Sequence, residues 1–367
     1  PINAQNELEP KDGKDLITTL DINIQDVTEN ALRQTLKKHQ AAHGCAVVME
    51  VETGEVKAIA NLGRNKDGTY TENYNYAVGE SLEPGSTFKL ASAIVLLENN
   101  YIKPGDSIKT GDGVHEFYGH KMKDAKPGGY GKITFKKALE VSSNVAFSKT
   151  INSTFKNNPD RYINELKDLQ IHKPLGLSIA GEGKPVIKSP SHEDWSGTTL
   201  PWMAIGYGVR MTPLQLLTLY NGIANDGKML KPRFAKEIRE VGTTVKTFDT
   251  DVIDKQICSQ STVDQLKTML AGVVKNGTAE NLYTKDYLVA GKTGTAKIAS
   301  ASGYTSGTNN YQASFVGFFP KKDPKYSCIV AINRPTKGLY YGARVAGPVF
   351  REIADKIYAH NLKMHQY

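Results

Sequence analysis

Apolar residues recur at helical spacing soon after the start of the chain. Ile24, Val27, Ala31, Leu32 and Leu36 share one face, and Asp21 stands where an N-cap belongs. The runs Cys45–Val51 and Glu55–Asn61 flank Glu52-Thr53-Gly54-Glu55, which predicts a β-hairpin. The unbroken apolar stretch from Leu90 to Leu97, launched by Pro84-Gly85, predicts a buried helix over 86–100. Residues 101–131, rich in Gly, Lys and Asp, read as a long surface loop, and 157–201, punctuated by five prolines, as loop-rich.

Between these stretches, Thr134–Asn144 and Val145–Phe155 read as two helices meeting near Ser142-Ser143-Asn144. Thr212–Asn225 and Ser261–Lys275 read as helices, and Phe234–Phe248 as a hairpin across Gly242-Thr243. The last quarter is strand-like over Leu288–Ala299, Gln312–Pro320 and Tyr326–Asn333, then helical from about Ala346 to Asn361. Strands at both ends with helices between them predict an α/β fold of the α+β type. Its mainly antiparallel sheet is built from the two ends of the chain, flanked by helices, with an all-helical lobe inserted. Residues 1–15 read as a polar linker and 16–367 as one domain.

Composition narrows the function classes. With 367 residues, 39% hydrophobic and 23% charged, the chain has the makings of a substantial core. A net charge of +8 suits an anionic partner, but no basic run or RNA-binding motif is present, so nucleic acid is not expected. The three cysteines are widely spaced, and the eight histidines form no metal-binding motif; neither a disulfide framework, a metal nor a cofactor is expected. No apolar run approaches the length of a membrane span, and the sequence opens at Pro1 without an initiator Met or signal peptide, as a mature or trimmed catalytic piece would.

The chemistry lies in three short motifs taken in order. Ser86-Thr87-Phe88-Lys89 opens the apolar helix, Ser142-Ser143-Asn144 follows, and Lys292-Thr293-Gly294-Thr295 sits in a strand-like run. Residues three apart share a helix face, so the Lys89 amine can reach the Ser86 hydroxyl and act as its base. The obstacle is protonation: at a free pKa of about 10.4, roughly one lysine in 2,500 is neutral at pH 7. Making Lys89 mostly neutral takes a depression of ~3 units, or ~4 kcal/mol, which burial and a second cation such as Lys292 would supply.

Ser142 could relay a proton to a leaving amine, and Asn144 could hold a substrate amide and the lysine. Lys292 with the hydroxyls of Thr293 and Thr295 could bind a terminal carboxylate, while Gly294 permits close approach along a strand edge. The backbone N–H groups of Ser86 and Thr295 are candidates for an oxyanion hole. Each motif alone has a bland alternative: a solvated helix face, a helix cap, a turn. The chain even carries decoys, since Ser153-Thr154-Phe155-Lys156 repeats the first motif letter for letter and Lys109-Thr110-Gly111 repeats the third, followed by Asp112-Gly113 as in a turn. Only the ordered series Ser86, Ser142, Lys292 is complete.

This series resembles the transpeptidase domain of class B penicillin-binding proteins. Thr18-Thr19-Leu20-Asp21 with Gln25, Gly206-Tyr207-Gly208, Met211-Thr212-Pro213-Leu214-Gln215 and Val345-Ala346-Gly347-Pro348-Val349-Phe350 are similar to further family segments. The Gly-Tyr-Gly and Lys297 lean towards the division-specific (septal) subgroup. The resemblance implies a serine acyltransferase that opens the D-Ala–D-Ala bond of peptidoglycan stem peptides through an acyl-Ser86 and cross-links them. It also implies covalent acylation by β-lactams. Family members usually carry an N-terminal membrane anchor and a pedestal, which implies a catalytic domain outside the cytoplasm, with a glycosyltransferase and division proteins as partners through regions beyond this chain. The rivals are a β-lactamase, a D,D-carboxypeptidase and a β-lactam-sensing receptor ectodomain. No Glu-x-x-Leu-Asn segment is present for a class A lactamase, and Asn144 stands where class D lactamases have Ser-x-Val.

Overall fold

The computed structural model describes residues 13–298 and 310–364, with side chains to residue 360. The linker residues 1–12 and Ala299, the last of the expected strand, lie outside the described residues. The helix expected after Asp21 forms over Ile22–His39, and the Asp21 carboxylate accepts hydrogen bonds from the N–H groups of Asn23 and Ile24. Gln25 ties that helix to the sheet, donating to the Ile59 carbonyl at 3.1 Å and accepting from the Ile59 N–H at 2.8 Å.

The chain ends do build one sheet. Its six strands run in the order Ala290–Lys297, Tyr311–Phe319, Tyr326–Asn333, His43–Glu50, Val56–Arg64, Tyr70–Thr71. Every neighbouring pair is antiparallel. Alternate residues serve two cores: Val48, Cys328 and Val330 pack under Ile22–His39 and the closing helix Gly342–Met364, while Val47, Met49 and Ile329 face the central helices. Because both faces are covered, the strands read as near-continuous apolar runs. Cys45, Cys258 and Cys328 are free and buried, and burial raises all three thiols well above the ordinary value.

The inserted region is not purely helical, and further expectations change. Residues 101–131 are not a plain loop but carry the strands Ser107–Gly111, Val114–Phe117 and His120–Lys123, followed by Gly131–Thr134. No strand offers more than two buried side chains, such as Ile108, Phe117 and Met122, and Gly131–Thr134 offers none, which is too weak a pattern to stand out. Lys109-Thr110-Gly111 accordingly lies in a strand rather than a turn. Within 157–201, Pro159 starts the helix Pro159–Asp168 instead of breaking one, since its fixed φ and missing N–H suit the first helical position. Asp15, at the end of the expected linker, already pairs with Arg239, adding the strand Asp15–Thr18 to the hairpin Ala235–Glu240 and Thr243–Thr247.

The segment that launches Ser86 is held by backbone contacts only glycine allows. Gly85 has φ +56°, and its N–H donates to the Gly206 carbonyl at 3.2 Å. Gly206 has φ +87°, and a Cβ there would collide with the Gly85 carbonyl. The Tyr220 hydroxyl, fully buried, donates to the Thr87 carbonyl at 2.8 Å. We expect Gly206→Ala to destabilise the domain by more than about 1 kcal/mol and to slow covalent labelling of Ser86. Thermal melting and a labelling time course check this, and a variant with parental values in both would refute the packing argument.

Candidate active site

Ser86 occupies the short 3-10 helix Gly85–Phe88, and Lys89 begins the helix Lys89–Glu98 directly behind it. The expected helix thus exists, with its first turn wound more tightly. Lys89 Nζ is completely buried and lies 3.2 Å from Ser86 Oγ, 3.0 Å from Ser142 Oγ, 2.8 Å from the Ser142 carbonyl and 2.7 Å from Asn144 Oδ1. The Asn144 amide nitrogen donates to the Lys123 carbonyl at 2.9 Å, which fixes the side chain with its oxygen towards the lysine.

Two of the four partners of Lys89, a carbonyl and an amide oxygen, can only accept. A neutral amine gives its two N–H groups to them and turns its lone pair to the hydroxyls of Ser86 and Ser142. The electrostatics favour that state. Burial first, and the Lys292 cation second, push the Lys89 pKa well below its ordinary value, while the Asp124 carboxylate pulls the other way.

Ser142 and Asn144 come from the break between the helices Phe135–Glu140 and Asn144–Phe155. Ser142 takes φ +57°, an uncommon left-handed conformation for a side chain larger than glycine. Asp124 holds this turn: its carboxylate accepts from Ser143 Oγ at 3.0 Å and from the Val145 N–H at 3.0 Å. Ser143 Oγ in turn caps the second helix by accepting from the Ala146 N–H at 3.0 Å.

Lys292, also completely buried, enters from the edge strand Ala290–Lys297. Its Nζ donates to Ser142 Oγ at 2.8 Å and to the Thr293 carbonyl at 3.0 Å, and burial lowers its pKa to about 7. Ser142 Oγ therefore bridges two buried amines. Gly294 lets the strand close on its neighbours, for a Cβ there would collide with Ser314 Oγ and crowd the Thr87 methyl. Ser86, Ser142, Asn144, Thr293 and Thr295 all line one cleft of about 490 Å³.

The decoys are elsewhere. Ser153 is exposed, with its hydroxyl donating to the Thr150 carbonyl at 3.0 Å, and Lys156 is exposed. The Lys109 carbonyl accepts from Lys149 Nζ at 2.8 Å, with no serine nucleophile alongside it. Sequence reasoning missed Asp124 and Thr278. The Thr278 hydroxyl lies 2.7 Å from Thr293 Oγ1, and its N–H donates to the Glu140 carbonyl at 3.0 Å. No local motif marks either residue. Tyr207, from the Gly-Tyr-Gly segment, accepts from the Lys297 N–H at 3.2 Å, and the Gly208 N–H donates to Glu83 Oε1 at 2.8 Å.

Protonated Lys89 cannot take the Ser86 proton, so acylation falls as pH drops through the folded-state pKa of Lys89. Lys292→Gln removes a neighbouring cation, which makes protonation of Lys89 easier and raises that pKa. The acid limb of the acylation rate is therefore expected to move to higher pH in the variant. A pH–rate profile of fluorescent penicillin labelling measures this; a limb that stays in place or moves lower would contradict the coupling.

The model for the penicillin binding protein transpeptidase domain matches residues 44–355. Stage V sporulation protein D of Bacillus subtilis is 29% identical over 361 residues, covering 96% of this chain and 55% of that protein. The peptidoglycan D,D-transpeptidase FtsI of Buchnera aphidicola subsp. Baizongia pistaciae is 28% identical over 355 residues, covering 94% of this chain and 58% of that protein. The chain thus spans somewhat over half the length of these two relatives. Among solved structures, penicillin binding protein 3 from Mycobacterium tuberculosis complexed with aztreonam superposes with a TM-score of 0.83 at 26% identity, covering 97% of this chain and 81% of that one. The transpeptidase domain of penicillin-binding protein 3 from Burkholderia pseudomallei superposes with a TM-score of 0.79 at 26% identity, covering 94% and 96%.

Proposed function

The chain belongs to the penicillin-binding protein transpeptidase family, and from that premise we propose that it is a peptidoglycan D,D-transpeptidase working through an acyl-Ser86. The observation that carries the reading is the buried Lys89 amine, within hydrogen-bonding reach of both the Ser86 and Ser142 hydroxyls. Neutral Lys89 takes the Ser86 proton as Oγ adds to the carbonyl between the two D-alanines. The backbone N–H groups of Ser86 and Thr295 receive the oxyanion, a contribution typically worth ~3–4 kcal/mol when one donor is lost. Lys292, Thr293 and Thr295 hold the terminal carboxylate.

Collapse of the tetrahedral species breaks the peptide C–N bond, and the proton reaches the departing D-Ala amine through Ser142, whose Oγ lies between the two lysines. An amine on a neighbouring strand then attacks the acyl-Ser86 carbonyl. It gives up its proton to the same relay and regenerates the serine as the cross-link forms. Asn144 holds Lys89 and offers an amide to the donor backbone. A β-lactam enters the first half of this cycle and stops at the acyl-enzyme.

The names of relatives, which include FtsI and penicillin binding protein 3, support a division-type (septal) role. We also propose a place at the outer side of the cytoplasmic membrane, with a glycosyltransferase and division proteins as partners, as the family resemblance implies. None of the described helices is long and apolar enough to cross a membrane.

Ser86→Ala is expected to abolish covalent labelling by a fluorescent penicillin, whereas Ser153→Ala leaves it intact; the reverse pattern would overturn the site assignment. After acylation, intact mass followed over hours is expected to keep the penicilloyl adduct. Rapid return to the free mass would favour a β-lactamase instead. Release of D-Ala from a stem pentapeptide, with product formed on an added amine, separates the transpeptidase from a sensor and from a carboxypeptidase.

A further inference from the structure

The terminal carboxylate of a donor needs a counter-charge, and Lys292 is poorly placed to supply all of it. Its burial pulls the amine to about 7, so at neutral pH it is charged only part of the time, and two of its hydrogens are committed to Ser142 and the Thr293 carbonyl. The cleft contains a second basic side chain. Arg344 lines the same cleft as Thr293 and Thr295 and is exposed; none of the residues lining the cleft is acidic. Among the described residues, its guanidinium has no hydrogen-bond or ion-pair partner.

Its position is fixed by the backbone. Arg344 stands in the first turn of the helix Gly342–Met364, whose opening Gly342 N–H donates to Thr295 Oγ1 at 3.1 Å. A Cβ on Gly342 would collide with the carbonyls of Gly294 and Ser314, so the start of the helix is pressed against the motif strand. Arg344 follows two residues, or about 3 Å of helix rise, later. A cation at a helix N-terminus is disfavoured by the helix dipole. An anion bound in the cleft would reverse that, meeting both the dipole and the guanidinium.

We infer that Arg344 is a second anchor for the donor's terminal carboxylate, acting beside Thr293 and Thr295. A guanidinium stays charged across the physiological range, and its planar fork matches a carboxylate with two parallel hydrogen bonds. Arg344 adds a lasting charge to the partial one that Lys292, engaged with Ser142 Oγ, brings to the carboxylate. This assignment rests on the acyl-transfer reading above.

The test compares two N-acyl-D-alanyl thioesters, one ending in a mercaptoacetate carboxylate and the other in the corresponding primary amide. kcat/KM is measured for both with the parent chain, Arg344→Gln and Arg344→Lys. In Arg344→Gln the carboxylate-to-amide ratio is expected to fall at least tenfold, mainly through KM, with partial recovery in Arg344→Lys. A ratio unchanged from the parent, or an equal loss with both donors, overturns the inference while leaving acylation of Ser86 standing. A parent chain that is acylated at Ser86 by neither thioester nor penicillin overturns the acyl-transfer reading and this inference with it.

Discussion

The burial of the Lys89 amine is the constraint on which the site depends. A lysine removed from water resists carrying charge, and that resistance favours the neutral amine, whose lone pair a serine hydroxyl can meet. The same removal creates a debt of unpaired hydrogens that the surroundings must meet. The Ser142 carbonyl and Asn144 Oδ1 meet it with two short contacts, and the Lys123 carbonyl locks the amide so that it cannot turn round. Asp124, though it favours the cation, is committed to the Ser143 hydroxyl and the Val145 N–H, where it braces the turn that brings these acceptors in.

That requirement explains why three segments far apart in the chain must meet so closely. A helix alone places Lys89 beside Ser86 but cannot shield it. The shielding comes from the turn at Ser142 on one side and the edge strand bearing Lys292 on the other. The edge strand joins the sheet through pairing with Tyr311–Phe319, in the register that sets Lys292 opposite Val316 and Gly294 opposite Ser314. Register matters here because a slip of one residue would turn Lys292 to the opposite face. The Gly85–Gly206 contact, the buried Tyr220 hydroxyl on the Thr87 carbonyl and the Gly294 approach to Thr87 act together to seat the serine turn against that strand.

The elements that could be read from the sequence were those with strong, local signals. The Asp21 cap and the five-residue apolar face mark the first helix, and the strands buried on both faces appear as dense apolar runs. The strand hairpins around residues 107–134 escaped because each buries very little, and the Pro159 helix because proline there acts at the position where it starts a helix. The three motifs stood out because each packs its residues into three or four positions, and the fold brings them to one cleft. Asp124 and Thr278 were not legible, since a lone Asp and a lone Thr become meaningful only when the fold sets them against Ser143 and Thr293. The twin tetrapeptide at Ser153 makes the same point in reverse: identical letters on an exposed helix end have no burial, no second amine and no accepting turn.

The two lysines also divide the electrostatic work. They share Ser142 Oγ, so a proton on one discourages a proton on the other, and the pair favours one charge over two. With the charge on Lys292, its N–H donates to Ser142 Oγ, the Ser142 hydroxyl hydrogen is free to point at Lys89, and Ser86 competes for the same lone pair. When Lys89 accepts the Ser86 proton, the positive charge moves next to an existing cation, a state the site disfavours. In the proposed mechanism the stored proton is therefore readily given up through Ser142 to the departing amine. In that mechanism, the arrangement that keeps Lys89 neutral and able to take a proton from the serine is the one that prevents it from keeping that proton.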